Sequence, residues 1–392
     1  MAKQKNGNLF SLVDRWEKSE LLALRRREAF YCPVCDADVQ MRLGNQRSWH
    51  FAHRSGMKCS FEAEAESAYH LNGKKKLYQW LVAQDVRVKL EPYLPFLKQR
   101  PDLLHHAHPQ DTALEFQCST IDSELFKKRT KTFQQADIIP VWILGGNRLK
   151  RAGADMFQLP QMDWLALRKL SYNAHSNFLL YFCPETKQFA VLSNITPCNA
   201  SKVFARLKYI PMSSFSVHDL HRLVKSLSFS LPKAWLKMKQ RWRLNAFRSR
   251  TRSHLYVQNL YGYLSMIPPA IGWPVPHLYH IETSCFLWQG WLFHHFYLQW
   301  RSDKPIGLQH VRNAFRSLVR KKIFQVRDFP LIPGEDETPA LLEYLHCLEA
   351  FGFLKQTGET TFRKVLGIAQ PKTVEEISRF DYEYFEMLDG IF

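Results

Sequence analysis

RPDLLHHAHPQDTALEFQCST, residues 100–120, is the stretch on which the fold reading turns. Arg100–Leu104 and Asp111–Ile121 are short β-like runs flanking Ala107-His108-Pro109-Gln110, a segment with a turn-favouring proline, so a hairpin is the natural inference. With the turn centred between His108 and Pro109, residues whose numbers sum to 217 stand opposite one another, and Asp102 faces Glu115. Neighbouring strands lie about 4.8 Å apart, so two carboxylates there repel unless a cation sits between them. Strand alternation puts Glu115 and Gln117 on one face and turns Phe116 into the core. Hard oxygen donors suit Mg2+ or Mn2+, which can activate water and neutralise charge on a scissile phosphate.

Upstream, residues 60–84 read as one helix with Ser60 as N-cap. Glu66, His70, Lys74, Leu77 and Leu81 recur at helical spacing and share a face. Taken alone, Glu66 and His70 are equally an ordinary pair one turn apart. Downstream, Glu124–Gln135 reads as a basic helix and Ile138–Leu144 as a buried strand. Helix, hairpin, helix, strand is a compact α/β order, with Arg129 a candidate phosphate contact.

Before this core lies a cluster of metal-ligand residue types. Cys32-Pro33-Val34-Cys35 has knuckle spacing, and His50, His53 and Cys59 follow. The preferred tetrahedral Zn2+ set is Cys32, Cys35, His53 and Cys59, with His50 as the alternative ligand. Val39–Trp49 reads as two short strands around Gly44, a ribbon too small to bury much apolar area, so a structural zinc would supply its stability. The competing reading is two buried cysteines among surface histidines.

Cys32-Pro-x-Cys35, His50-Phe-Ala-His53, Glu66-Ser-x-x-His70-x-x-x-Lys74, Arg100-Pro-Asp102 and Glu115-Phe-Gln-x-Ser119, in that order, resemble the competence protein CoiA family of Gram-positive bacteria. The resemblance covers about residues 25–150 and implies a PD-(D/E)xK restriction-endonuclease-like α/β core. It also implies that Asp102 and Glu115 hold the catalytic metal, that Glu66 contributes from the preceding helix, and that the protein acts on incoming DNA during natural transformation and recombination. Gln117 stands where the motif has lysine, and an amide hydrogen-bonds without lending positive charge. Lys74, on the helix of Glu66, is the candidate for the missing charge.

In the carboxy-terminal half, no acidic residue occurs between Asp219 and Glu282, while Lys237, Lys239, Arg241, Arg243, Arg248, Arg250 and Arg252 crowd one stretch among Trp235, Trp242, Phe247 and Tyr256. One reading makes this a nucleic-acid surface, with rings stacking on bases and cations tracking phosphates. The other makes it an amphipathic helix with core aromatics. Thr338–Leu354 followed by Lys355–Val365 resembles the helix and wing of a winged-helix domain. The tail after Thr373, VEEISRFDYEYFEMLDGIF, is acidic and aromatic. It reads as a terminal helix packed through Phe380, Tyr384 and Leu388, or as a docking segment for recombination or replication proteins.

A net charge of +18 and a pI of about 9.5 favour a polyanionic partner. No apolar run is long enough for a membrane span, and no signal-peptide core follows the first lysines. The expectation is therefore cytoplasmic, where eight cysteines favour metal binding over disulfides. The fold expectation is multidomain α/β: a zinc-ribbon-like module (1–60), the nuclease-like core (61–150), a middle region with the basic aromatic helix (151–300), and a mainly helical region with the winged-helix-like end (301–392). The leading function is a metal-dependent deoxyribonuclease acting on single-stranded or branched DNA. The alternatives are a catalytically degenerate DNA-binding scaffold and a zinc-containing transcription regulator.

Overall fold

The computed structural model describes all residues except 1, 11, 13–15, 34, 45–48, 55–66, 108, 170–176, 223–233, 246–247, 263, 265–266, 302, 368–370, 372 and 389–392. Two compact units result: residues 1–148, 180–191 and 208–221 form the first, and 149–179, 192–207 and 222–392 the second.

The first unit begins with a five-stranded antiparallel sheet in the order β2-β1-β3-β4-β5, made from β1 (Ala2–Gln4), β2 (Leu9–Phe10), β3 (Phe30–Tyr31), β4 (Asp38–Arg42) and β5 (His50–His53). Helix α1 (Lys18–Arg27) packs Leu21 with Ala2, Phe30, Val39, Met41 and Leu43. The two-stranded ribbon expected around Gly44 is thus the far end of a larger sheet. Its apolar core does not depend on a metal alone, because β1–β3 and α1 add the buried area that two strands lack.

Helix α2 (Ala68–Val82) follows, then β6 (Val88–Leu90), β7 (Leu103–His105), β8 (Thr112–Gln117), α3 (Ser123–Gln135) and β9 (Ile139–Gly145). The expected helix start at Ser60 is corrected. Ser67 is the N-cap, its hydroxyl accepting from the His70 amide, and residue 60 lies outside the described residues. β6, β7 and β8 pair antiparallel, and β8 and β9 pair parallel, α3 supplying the crossover. Residues 180–183 of strand Asn177–Cys183 add a further parallel partner, with Tyr181 opposite Leu144. The central strands are buried on both sides, as a sheet covered by helices requires: Val141–Leu144 and Ala113–Phe116 are all at most 5% exposed.

The second unit has one extensive apolar core. Helix Cys285–Leu292 buries every residue, so the apolar run read as a buried element is one. Strand Ile306–Gly307 pairs with Thr361–Lys364, which pairs with Leu354–Gly358, and helices Leu308–Arg320 and Thr338–Ala350 lie between the first strand and that hairpin. The terminal helix Val374–Leu388 places Tyr384, Phe385 and Leu388 in the core, with Phe380 packed against it. No helix among the described residues is long and apolar enough to cross a membrane.

Two members of the expected basic surface are inside this unit. Lys239 is fully buried, with Nζ 2.9 Å from Asp381 Oδ1, 2.6 Å from the Pro269 carbonyl and 3.7 Å from the centroid of the Trp273 ring. Burial pushes its ammonium down to about 7 against the pull of Asp381. Arg243 forks onto the same buried carboxylate. Trp235 is buried, and Trp242 stacks on Phe286 at 4.2 Å, so these aromatics serve the core. The spacing of positive charge along a helix does not reveal that one buried acid, over a hundred residues away, takes two of them. Removing one partner of a buried ion cluster strands the others, so Asp381→Ala should cost about 3–5 kcal/mol in urea unfolding. A loss below about 1 kcal/mol would show the cluster to be peripheral to stability.

Candidate active site

Leu103 pairs with Leu114, Leu104 with Ala113 and His105 with Thr112, the register expected from the sequence. Continuing it by one residue brings Asp102 level with Glu115 at the end of β7. The Asp102 carboxylate is fixed there because Oδ2 accepts the Phe116 amide at 2.8 Å. Phe116 is 2% exposed, and Glu115, one residue before it on the other face of β8, is 5% exposed.

Helix α2 supplies the charges that balance Asp102. His70 Nε2 lies 3.4 Å from Asp102 Oδ2, and Lys74 Nζ lies 3.7 Å from Oδ1. Lys74 is 3% exposed and also reaches Glu91 Oε1 at 2.5 Å, while Arg100 stands 3.8 Å from Glu91 Oε2. Burial works to raise both acids. For Asp102 the His70 hydrogen bond and the Lys74 charge outweigh it and hold the carboxyl below its usual range. For Glu91, Lys74 and Arg100 bring the carboxyl down to about 2. Glu115 goes the other way: burial raises it, Asp102 adds to the rise, and the Arg129 guanidinium, bonded to Oε1, opposes it. Arg129 also donates to the Arg100 carbonyl at 3.3 Å.

Asp102, Glu115 and Lys74 are therefore brought together. Glu66 lies outside the described residues. Gln117 is half-buried at the end of β8, its amide donating to the Ser119 carbonyl at 3.0 Å. Arg129 stands against Glu115. Sequence reasoning missed Glu91, which no motif marks. It extends β6 by one residue, its amide donates to the Asp102 carbonyl at 2.9 Å, and its φ of +47° turns the chain there. Its only sequence signal is a glutamate directly before Pro92 at a strand end.

α2 approaches this closely because residue 73 has no side chain: a Cβ there would lie 1.8 Å from Phe116 Cε1. His70 and Lys74 flank that contact on neighbouring turns.

The second cluster sits in the amino-terminal sheet. One ligand atom each from Cys32, Cys35 and His53 lies within 4.8 Å of the others, and Cys35 Sγ is 3.3 Å from His53 Nε2. Asp36 at φ +56° closes the knuckle, with the Asp36 amide donating to the Cys32 carbonyl. Cys59 lies outside the described residues. His53 pairs with Val39 on the core side of the β4–β5 hairpin, whereas His50 pairs with Arg42 and is exposed. Among the other basic residues singled out, Lys237, Arg241, Arg248, Arg250 and Arg252 are exposed, Arg252 reaching the Lys321 carbonyl at 3.4 Å.

Gly73→Ala should lower stability by about 1–3 kcal/mol through overpacking against Phe116, even though alanine is the better helix former by about 1 kcal/mol. Unchanged or raised stability in urea unfolding would mean that α2 does not rest on Phe116 as described.

The comparisons with known proteins cover the same segments. Residues 66–224 match the family model described as competence protein CoiA, nuclease-like domain; residues 13–62 match its N-terminal domain and residues 231–377 its C-terminal domain. The competence protein CoiA of Bacillus subtilis (strain 168) is 30% identical over 359 residues, covering 90% of this chain and 93% of that protein. No solved structure matches. The nuclease-like match runs through the acidic site and on across residues 180–191 and 208–221, the segments that return to the first unit. With all three domains present in order and the relative aligned along nearly its whole length, the chain belongs to the competence protein CoiA family.

Proposed function

We propose that this chain is a competence-associated DNA-processing protein whose first unit hydrolyses phosphodiester bonds with the help of Mg2+ or Mn2+. The observation that carries the reading is the pair of carboxylates, half-buried Asp102 and buried Glu115, on neighbouring strands with the buried Lys74 ammonium beside them. The donor set fits a hard divalent ion: the Asp102 charge raises the proton affinity of Glu115, and a cation between them would relieve that repulsion. Bound there, the ion would polarise a phosphate oxygen and acidify an attacking water.

The protein's own residues do the rest. His70 and the Phe116 amide hold Asp102 ionised and oriented. Arg129 holds Glu115 and counters its tendency to take a proton. Lys74, steadied by Glu91, stands where positive charge can meet a phosphate, the role Gln117 gives up. Glu66 is proposed to join from the segment before α2. The family's nuclease-like domain supports DNA as the substrate class; incoming DNA, single-stranded or branched, met in the cytoplasm during transformation and recombination, is the proposed form. The exposed Lys237, Arg241, Arg248, Arg250 and Arg252 are proposed as phosphate contacts.

A second reading, a DNA-binding scaffold that no longer cuts, is favoured by Gln117, whose amide is turned to Ser119. The helix–strand–helix–helix–hairpin order near the carboxy terminus resembles a winged helix, but helix Thr338–Ala350 carries Glu343 and Glu349 and no Lys or Arg, which argues against base reading there. The terminal helix spends Tyr384, Phe385 and Leu388 on its own unit, which gives no support to a recruiting role.

Purified protein with Mg2+ or Mn2+ should cut end-labelled single-stranded, duplex or branched DNA. Glu115→Ala and Asp102→Ala should abolish cutting, and Lys74→Ala should lower kcat by about 100-fold with DNA binding retained. Binding without cleavage under either metal would leave the scaffold reading, and full activity in Lys74→Ala would remove that residue's role.

Zinc is proposed at Cys32, Cys35, His53 and Cys59, four ligands closing a structural site. Elemental analysis should find about one zinc per chain. The metal should be lost in Cys35→Ser and His53→Ala and kept in His50→Ala; loss only in His50→Ala would exchange the histidines.

A further inference from the structure

The β4–β5 hairpin has two faces. Val39, Met41, Phe51 and His53 look to the core and the cysteine cluster. Asp38, Gln40, Arg42 and His50 look outward. On the first unit's surface a groove of about 410 Å3 is lined by residues from α1, β3 and β4 together with Arg54. Three arginines from separate segments converge on it: Arg25 from the last turn of α1, Arg42 from the end of β4, and Arg54 just beyond β5. All three are exposed, and Arg25 is steadied by donating to the Met41 carbonyl at 3.3 Å. Two carboxylates, Glu28 and Asp38, share the lining, and Glu28 accepts from Gln4 at 2.9 Å. Residues 1–54 hold ten Lys and Arg against six Asp and Glu.

We propose that this groove is a phosphodiester-binding site that grips a DNA strand on the amino-terminal sheet, apart from the acidic site. Arginine is suited to the task because its planar fork bonds phosphate oxygens two at a time and stays charged. Three guanidinium groups around one groove offer forked donors to the phosphates of a strand. Contacts of this kind fix position and carry no sequence preference. The inference rests on DNA being the partner and does not need the core to cut.

The test uses full-length Glu115→Ala protein without added divalent ion, so that binding alone is read by fluorescence anisotropy with single-stranded and duplex oligonucleotides. Arg42→Ala/Arg54→Ala, which spares the Arg25–Met41 bond, should weaken binding by about tenfold or more and shallow the salt dependence by about 1.5 in log–log slope. Lys5→Ala/Lys150→Ala removes two exposed charges elsewhere and should change affinity by less than about threefold. Equal losses in both variants would reduce the effect to bulk charge and overturn the proposal, as would an unchanged Kd and slope. Should the double variant misfold, photocross-linking of the unsubstituted protein to 5-iodouracil DNA, which captures aromatic, His and Met side chains beside the bound strand, decides. Peptides from residues 25–54 are expected, and cross-links confined to other segments overturn the groove. If DNA binds here but the native protein never cuts, only the nuclease reading fails; if no DNA binds at all, both fail.

Discussion

Everything in the first unit answers to a charge problem. Glu91, Asp102 and Glu115 are three carboxylates withdrawn from water on adjacent strands, where an unpaired charge would cost several kcal/mol. Each is met by a partner carried from elsewhere: Lys74 and the His70 ring on α2, Arg100 before β7, and Arg129 on α3. α2 can come close enough because Gly73 leaves room for Phe116, and α3 is held over the sheet partly because Arg129 reaches Glu115. Such an arrangement is costly as a stability device, and perturbed carboxylates of this kind cluster at functional sites.

The two units handle buried charge in different ways. In the second, one acid, Asp381, is enclosed with two bases, Lys239 and Arg243, and the ring of Trp273 faces the ammonium within an apolar core. In the first, three acids share Lys74, His70, Arg100 and Arg129, and burial with the nearby Asp102 charge still leaves Glu115 with a raised proton affinity.

Much of the acidic site was legible in the chain because a hairpin is a local object. Once the Pro109 turn is placed, the register follows by counting, and the pairing of Leu103 with Leu114 agrees with it. Helical spacing likewise put His70, Lys74, Leu77 and Leu81 on one face, and these are the residues that meet the sheet or lie buried beneath it. Glu91 escaped, since its role comes from β6 lying beside β7, a pairing that no local pattern announces. The structure also gives residues 180–191 and 208–221 to the first unit, where the sequence suggested a separate middle region.

The sequence by itself determined the order of motifs, the family, the hairpin with its facing acids, and the Cys-x-x-Cys knuckle, because each depends on spacing along the chain. The tertiary structure decided which charges are spent. Lys239 and Arg243 proved internal, Arg129 turned to Glu115, Lys74 was buried beside Asp102, and His53 rather than His50 faced the cysteines. Charge and residue type are properties of the chain, but whether a charged group meets water, a counter-ion or an empty groove depends on which distant segments fold against it.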